Sequence, residues 1–129
     1  LNEPVYVLTC DNITKVNFQL IEKDYIRKGS PDCFLIPVKP IPKLEGDFIH
    51  EENNIVKKLS RKIKSDKYCS GIQIINPYKL NKLIKNTDDF NMVWKKLIKK
   101  KKLIVSDIIP KKWFTIDNVE HLKIYKKNL

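Results

Sequence analysis

A chain of 129 residues, 42% hydrophobic and 32% charged, has the balance of a single folded domain, which excludes a disordered segment. No apolar run approaches the roughly 20 residues that cross a bilayer, so no membrane role is expected. The formal charge is +11, yet only Arg27 and Arg61 are arginines against 24 lysines. That points to biased composition and away from nucleic-acid readout, which leans on arginine forks and interleaved aromatics.

Cys10, Cys33 and Cys69 are odd in number and too widely spaced for a metal knuckle. Each sits at the edge of an apolar run, where a free cysteine acts as a small hydrophobe. The expectation is a reduced, cytoplasmic protein without structural zinc. The first residues are polar, acidic and proline-containing, unlike a signal peptide. A start at Leu1 in place of methionine reads as a piece of something longer.

Val5-Tyr6-Val7-Leu8 is a continuous apolar run that breaks off at Cys10-Asp11-Asn12. Such a run predicts a strand buried on both faces, as in the middle of a parallel sheet. Ligands of open α/β sheets gather beyond the carboxyl ends of these strands, so Asp11 is placed to hold a metal ion against a phosphate. Asn17 then caps a helix with Phe18, Ile21, Tyr25 and Ile26 inward, and Gly29 follows its end. Cys33 to Val38 is the next strand, with Pro37 marking an edge or a bulge. Together these three elements predict a right-handed βαβ unit.

Pro40, Pro42 and Gly46 mark a loop, and Phe48–His50 and Ile55–Leu59 flank a hairpin turn at Asn53-Asn54. Residues 60–67 are basic and belong on the surface. Cys69 to Ile75 reads as a strand, and Asn76-Pro77 starts a short helix with Leu80, Leu83 and Ile84 buried. Asp88-Asp89 opens a second helix, whose stripe is Phe90, Val93, Trp94, Leu97 and Ile98. Lysines 95, 96 and 99–102 cover its other face and its end, as a solvated surface or as a phosphate-binding one. Leu103–Val105 and Ile108-Ile109 form a last strand region. A final helix follows Asn118, with Val119, Leu122 and Tyr125 inward. The sum is an α/β domain of mixed, mainly parallel sheet with flanking helices, spanning 1–129.

Three stretches in this order are similar to the C-terminal part of the sugar-1-phosphate nucleotidyltransferases. They are Val7-Leu8-Thr9-Cys10-Asp11-Asn12, Ser70-Gly71-Ile72-Gln73-Ile74-Ile75-Asn76-Pro77, and Trp113-Phe114-Thr115-Ile116-Asp117-Asn118-Val119-Glu120-His121-Leu122. The resemblance implies the C-terminal half of a Rossmann-like domain. Its partners would be a nucleoside triphosphate and a phosphorylated sugar or small alcohol, joined with release of pyrophosphate. It also implies Mg²⁺ held by two acidic groups, carried here onto Asp11 and Asp117. The usual acidic place two residues after the tryptophan is Thr115, but a subgroup resembling choline-phosphate cytidylyltransferases has its aspartate where Asp117 stands. Asn12, Arg61 and Gly71 fall at substrate-binding places, and Ser60 stands where an acidic partner is usual.

Each of these residues has a plainer use. Asp11-Asn12 could form a turn, Asp117 could cap the last helix, and Arg61 could be surface. Gly71 could line a sugar pocket or only allow close backbone approach. His50 and His121 read as surface residues. The family's Gly-rich phosphate loop is missing, since Gly29, Gly46 and Gly71 stand far apart. The chain is therefore expected to be a truncated portion, inactive alone, with its first strand an apolar edge that calls for a homodimer or a missing N-terminal partner. The alternatives are a non-catalytic basic interaction domain and a nucleic-acid-binding domain.

Overall fold

The computed structural model describes residues 3–85, 89–127 and 129. In chain order the elements are β1 (Val5–Leu8), β2 (Asn12–Lys15), α1 (Phe18–Arg27), β3 (Cys33–Val38), β4 (Phe48–Glu52) and β5 (Ile55–Ser60). They continue with β6 (Tyr68–Ile75), α2 (Pro77–Leu83), α3 (Phe90–Lys99), β7 (Leu103–Val105), β8 (Lys112–Thr115) and α4 (Val119–Lys127). Six strands form one sheet in the order β1-β6-β3-β7-β5-β4, and β2 pairs with β8 in a separate two-stranded ribbon. Among the described residues no helix is long and apolar enough to cross a membrane.

All six residues of β3 are buried, because the strand is central and both of its faces are covered. Side chains alternate along it. Cys33 and Leu35 join the core under α2 and α3 with Leu80, Val93 and Leu97. Phe34 and Ile36 pack on the other face with Ile21 and Tyr25 of α1. Local signals start and stop the helices as their sequences predict. Asn17, Asn76 and Asp89 each accept a first-turn N–H, and Gly29 takes φ +88° after α1. Asp88 lies outside the described residues. The β4–β5 hairpin turns at Asn53 and Asn54 with φ 52° and 67°, the left-handed pair that a two-residue turn requires.

The α/β layering with a mixed sheet stands, but the sheet is mainly antiparallel, not mainly parallel. Among the described residues only β3–β7 run parallel; β1–β6, β3–β6, β4–β5, β4–β6 and β5–β7 are antiparallel. The reason is that β6 inserts between β1 and β3. These two strands keep the shared direction of a βαβ unit without touching as ladder partners.

That insertion also puts β1 at the edge, so Val5, Tyr6 and Val7 are half-buried and Leu8 is exposed, not buried on both faces. Pro37 marks a bulge inside a central strand, not an edge. Phe18 and Ile26 of α1 are exposed, and so are Val119 and Leu122 of α4, where Tyr125 alone of the three turns to a ring partner, Phe114. Ile108 and Ile109 form a loop, and the strand pair β2–β8 takes their place. Cys33 is buried and Cys69 half-buried; burial pushes both thiols up to about 12, which keeps them inert.

Candidate active site

The ribbon explains how residues 11 and 117 meet. β2 starts directly after Asp11, and β8 stops at Thr115, just short of Asp117. Because the two strands are antiparallel, with Asn12 opposite Thr115, the start of one and the end of the other share one end of the ribbon. The Ile116 N–H donates to the Asp11 carbonyl at 3.0 Å and closes that end.

A glycine bulge then fastens the ribbon to the large sheet. Between Gln73 and Cys69, β6 carries more residues than β3 has between Leu35 and Pro37, and Gly71 sits in the excess with φ +84°. The Ser70 hydroxyl donates to the Ile36 carbonyl at 2.6 Å and holds the bulge in shape. This turns the Ser70 carbonyl toward the ribbon, where it accepts from Asn12 Nδ2 at 2.5 Å and from Trp113 Nε1 at 2.8 Å. The Gly71 carbonyl accepts the Thr9 N–H at 3.1 Å. A Cβ at Gly71 would stand 2.3 Å from Thr9 Oγ1 and 2.7 Å from Asn12 Nδ2, so the glycine is what lets the turn carrying Asp11 lie against the strand.

The carboxyl groups of Asp11 and Asp117 lie within reach of each other, and each shifts the other's pKa. The Asp117 side chain holds the Asp11 carboxyl below its usual range against burial, helped by Thr9, by its own backbone N–H and by Thr115, whose Oγ1 lies 3.4 Å away. The same pairing, burial and the charge of Asp11 push Asp117 up, while His121 and Arg61 pull it part of the way back. Two carboxyls this close repel each other when both ionise, which is why the pair is pushed in opposite directions, Asp11 down and Asp117 up.

Asp117 is not the cap of α4. Asn118 is: its Oδ1 accepts the His121 N–H at 2.8 Å, and its carbonyl accepts the Leu122 N–H at 3.3 Å. The helix start thereby leaves Asp117 free for Asp11. Arg61 stands on the same side, its Nε 3.3 Å from Asp47 and its Nη1 3.7 Å from Glu45, near enough for its charge to reach Asp117. Ser60 accepts the N–H groups of Lys62 and Ile63, so the place of the expected acid is taken by a turn. Four of the five predicted site residues, Asp11, Asn12, Gly71 and Asp117, are thus gathered at the ribbon end, with Arg61 beside them.

His121 does not lie out on the surface. Its ring is largely covered, its Nδ1 accepts the Asp117 N–H at 3.2 Å, and it lies 4.0 Å from Asp117 Oδ2. The signal in the sequence was its spacing, one helical turn beyond the aspartate. His50 remains apart, its Nε2 3.0 Å from the Ile63 carbonyl.

No family model matches the chain, and no curated protein matches it. Solved structures do. A Bacillus anthracis protein assigned as a glucose-1-phosphate thymidylyltransferase superposes with a TM-score of 0.76 at 13% identity, over 98% of this chain and 55% of its own. The inositol-1-phosphate CTP transferase from T. maritima does so at 0.69 and 16%, over 96% and 54%. A nucleoside-diphosphate-sugar pyrophosphorylase from Vibrio cholerae RC9 gives 0.64 and 11%, over 96% and 56%. At these identities the likeness establishes architecture alone: the chain has the fold of these sugar-phosphate nucleotidyltransferases and spans about half of their length.

Proposed function

We propose that this chain is the C-terminal portion of a cytoplasmic, Mg²⁺-dependent nucleotidyltransferase that joins a nucleoside triphosphate to a sugar 1-phosphate or a similar phosphorylated small alcohol. The observation that carries the reading is the meeting of Asp11 and Asp117 across the ribbon end. The pair fits the ion. Its donors are carboxylate oxygens, the repulsion between them is what a divalent cation relieves, and Mg²⁺ is commonly held by one or two carboxylates plus substrate phosphates. Among the described residues no group of three or more acidic, histidine or cysteine side chains is arranged to hold a metal, which leaves the rest of the shell to phosphate and water.

When bound, Mg²⁺ supplies the positive charge that offsets negative charge growing on the α-phosphate as the acceptor's phosphate oxygen attacks and pyrophosphate leaves. The chain's own part is positioning. Asp11 is fixed by the turn that Gly71 admits, and Asp117 by the start of α4. Asn12 spends its amide N–H groups on Thr9 and Ser70, so its Oδ1 is the atom that would meet substrate. Arg61 offers its guanidinium to the acceptor phosphate from between Glu45 and Asp47.

The nucleotide side of the site belongs to the missing N-terminal portion, either upstream in the same polypeptide or on a partner. The outer edge of β1, which ends the sheet among the described residues, is where it or a second copy would pair. The test is pyrophosphate release from a nucleoside triphosphate and a panel of sugar 1-phosphates. The chain alone is expected to give none, and the chain joined to a Gly-rich N-terminal portion to give Mg²⁺-dependent release that Asp11→Ala abolishes. Release by the isolated chain, or release from the joined protein that survives Asp11→Ala, would overturn the reading.

A further inference from the structure

We infer that His121 is a positioning residue for the ion site: its imidazole Nδ1 holds the backbone N–H of Asp117 and so aims that carboxylate at Asp11. The inference rests on the carboxylate pair being a divalent-ion site, as proposed above.

The start of α4 is half of a capping box. In the usual box the cap side chain accepts the N–H three residues on, and the residue there, commonly Glu or Gln, reaches back to the cap's own N–H. Asn118 and the His121 N–H make the first of these bonds at 2.8 Å. The return bond is displaced by one residue, from Asp117 N–H to His121 Nδ1 at 3.2 Å. The ring thus grips the residue before the helix, and the Asp117 backbone is held from its N–H side while its carboxyl projects to Asp11. The ring is only 14% exposed, so it is held against the chain and not free in solvent.

An imidazole suits the place better than the usual glutamate. A third negative group beside two close carboxyls would add to their repulsion, whereas an imidazole accepts the bond through Nδ1 without bringing a negative charge. For Nδ1 to accept, the ring proton stands on Nε2. Partners of this kind, which orient a ligand without touching the metal, commonly change metal affinity by about 10- to 100-fold when removed.

The experiment is a Mn²⁺ titration of the chain followed by electron paramagnetic resonance of the free ion, with thermal unfolding of each variant alongside. His121→Gln keeps a neutral acceptor of the kind found in the usual box, and His121→Leu keeps bulk but accepts nothing. Asn118→Ala weakens the helix cap and leaves the ring in place, and Asp117→Asn sets the level of non-specific binding. The expected result is wild-type affinity for His121→Gln and a loss of about 10-fold or more for His121→Leu. Asn118→Ala should melt earlier yet bind within about twofold of wild type, since its loss falls on the helix cap.

Wild-type affinity in His121→Leu would overturn the inference. So would an Asn118→Ala variant that binds as poorly as His121→Leu, because helix capping would then explain everything. A Gln variant no better than Leu would overturn it too, since the ring would be acting as a ligand or as packing. If the wild type binds no more Mn²⁺ than Asp117→Asn, the ion-site reading itself fails and this inference goes with it.

Discussion

Two clusters of acidic side chains in this molecule answer the same electrostatic problem in opposite ways. At Asp24, which is fully buried, every carboxylate oxygen has a donor: Ser106 Oγ at 2.5 Å, the Asp107 N–H at 3.0 Å and Lys28 Nζ at 3.2 Å. Lys28 also bridges to Asp107 at 2.7 Å, and Asn54 donates to Asp107 at 2.7 Å and to the Val105 carbonyl at 2.9 Å. One network ties α1, the tip of the β4–β5 hairpin and the segment after β7. At the ribbon end, by contrast, Asp11 and Asp117 are set against each other. Burial alone would raise the Asp24 pKa, yet its hydrogen bonds and Lys28 hold it below the usual range, whereas Asp117 is pushed up. A carboxylate that the fold satisfies holds the fold together. A pair that the fold leaves in conflict adds nothing of the kind, and the proposed cation would relieve it.

Substitution should separate the two clusters. Asp24→Ala leaves the Ser106 hydroxyl and the Asp107 N–H without their acceptor while Lys28 keeps Asp107, and each such buried donor left unsatisfied typically costs about 1–3 kcal/mol. Asp117→Asn is expected to change stability by no more than about 0.5 kcal/mol, as substitutions of this exposure usually do, while abolishing specific Mn²⁺ binding. Urea unfolding and the Mn²⁺ titration check both arms. Equal losses of stability at the two sites would erase the distinction.

The bulge that presents the ribbon comes next in size. Gly71→Ala would drive a methyl group into Thr9 and Asn12 from a backbone with φ +84°, and strain with overpacking of this kind costs about 1–3 kcal/mol. Because Thr9 and Asn12 flank Asp11, Mn²⁺ affinity should fall with it, whereas Gly29→Ala has open space around it and should leave that affinity alone. Trp113→Phe keeps the ring packed near Tyr68, whose centroid is 5.6 Å away, but takes the indole N–H from the Ser70 carbonyl. The loss expected in denaturant unfolding is about 1 kcal/mol, the net worth of one such bond.

Much of this was legible in the chain, and what was not has definite causes. Caps and turns were readable because they are local: Asn17, Asn76, Asp89 and the Asn53-Asn54 turn act on their own neighbours. Strand order was not, because β6 is set between β1 and β3 by pairing across the chain, and an apolar run looks the same in the middle of a sheet as at its edge. The ribbon escaped for a related reason. Asn12-Ile13-Thr14-Lys15 has little apolar content and is a strand only because β8 pairs with it. The acidic pair was legible through resemblance and not through spacing, since no periodicity links residues 11 and 117. His121 reads as a surface residue in sequence because its bond to Asp117 depends on which residue caps α4, and only the folded chain gives that place to Asn118.

The smallest expected effect is in the pH dependence, where the two clusters carry opposite signs. The folded-state pKa of Asp24 lies below its unfolded value, so its contribution is present above the unfolded pKa of about 3.9 and lost as the pH falls through the folded one. Asp117 lies above its unfolded value, so its contribution is complete at low pH and lost as the pH rises through its folded pKa. Without a divalent ion, the melting temperature should therefore climb as the Asp24 network ionises and then slip slightly as the second proton leaves the Asp11–Asp117 pair. Mg²⁺ should remove the slip, because the ion would offset the repulsion between the two carboxylates, and its affinity should rise over the same interval. In Asp117→Asn the slip and the Mg²⁺ response should vanish together, while the acid limb set by Asp24 stays. A slip that survives in Asp117→Asn would place the titrating group elsewhere, and the contrast between the clusters would then rest on the mutants alone.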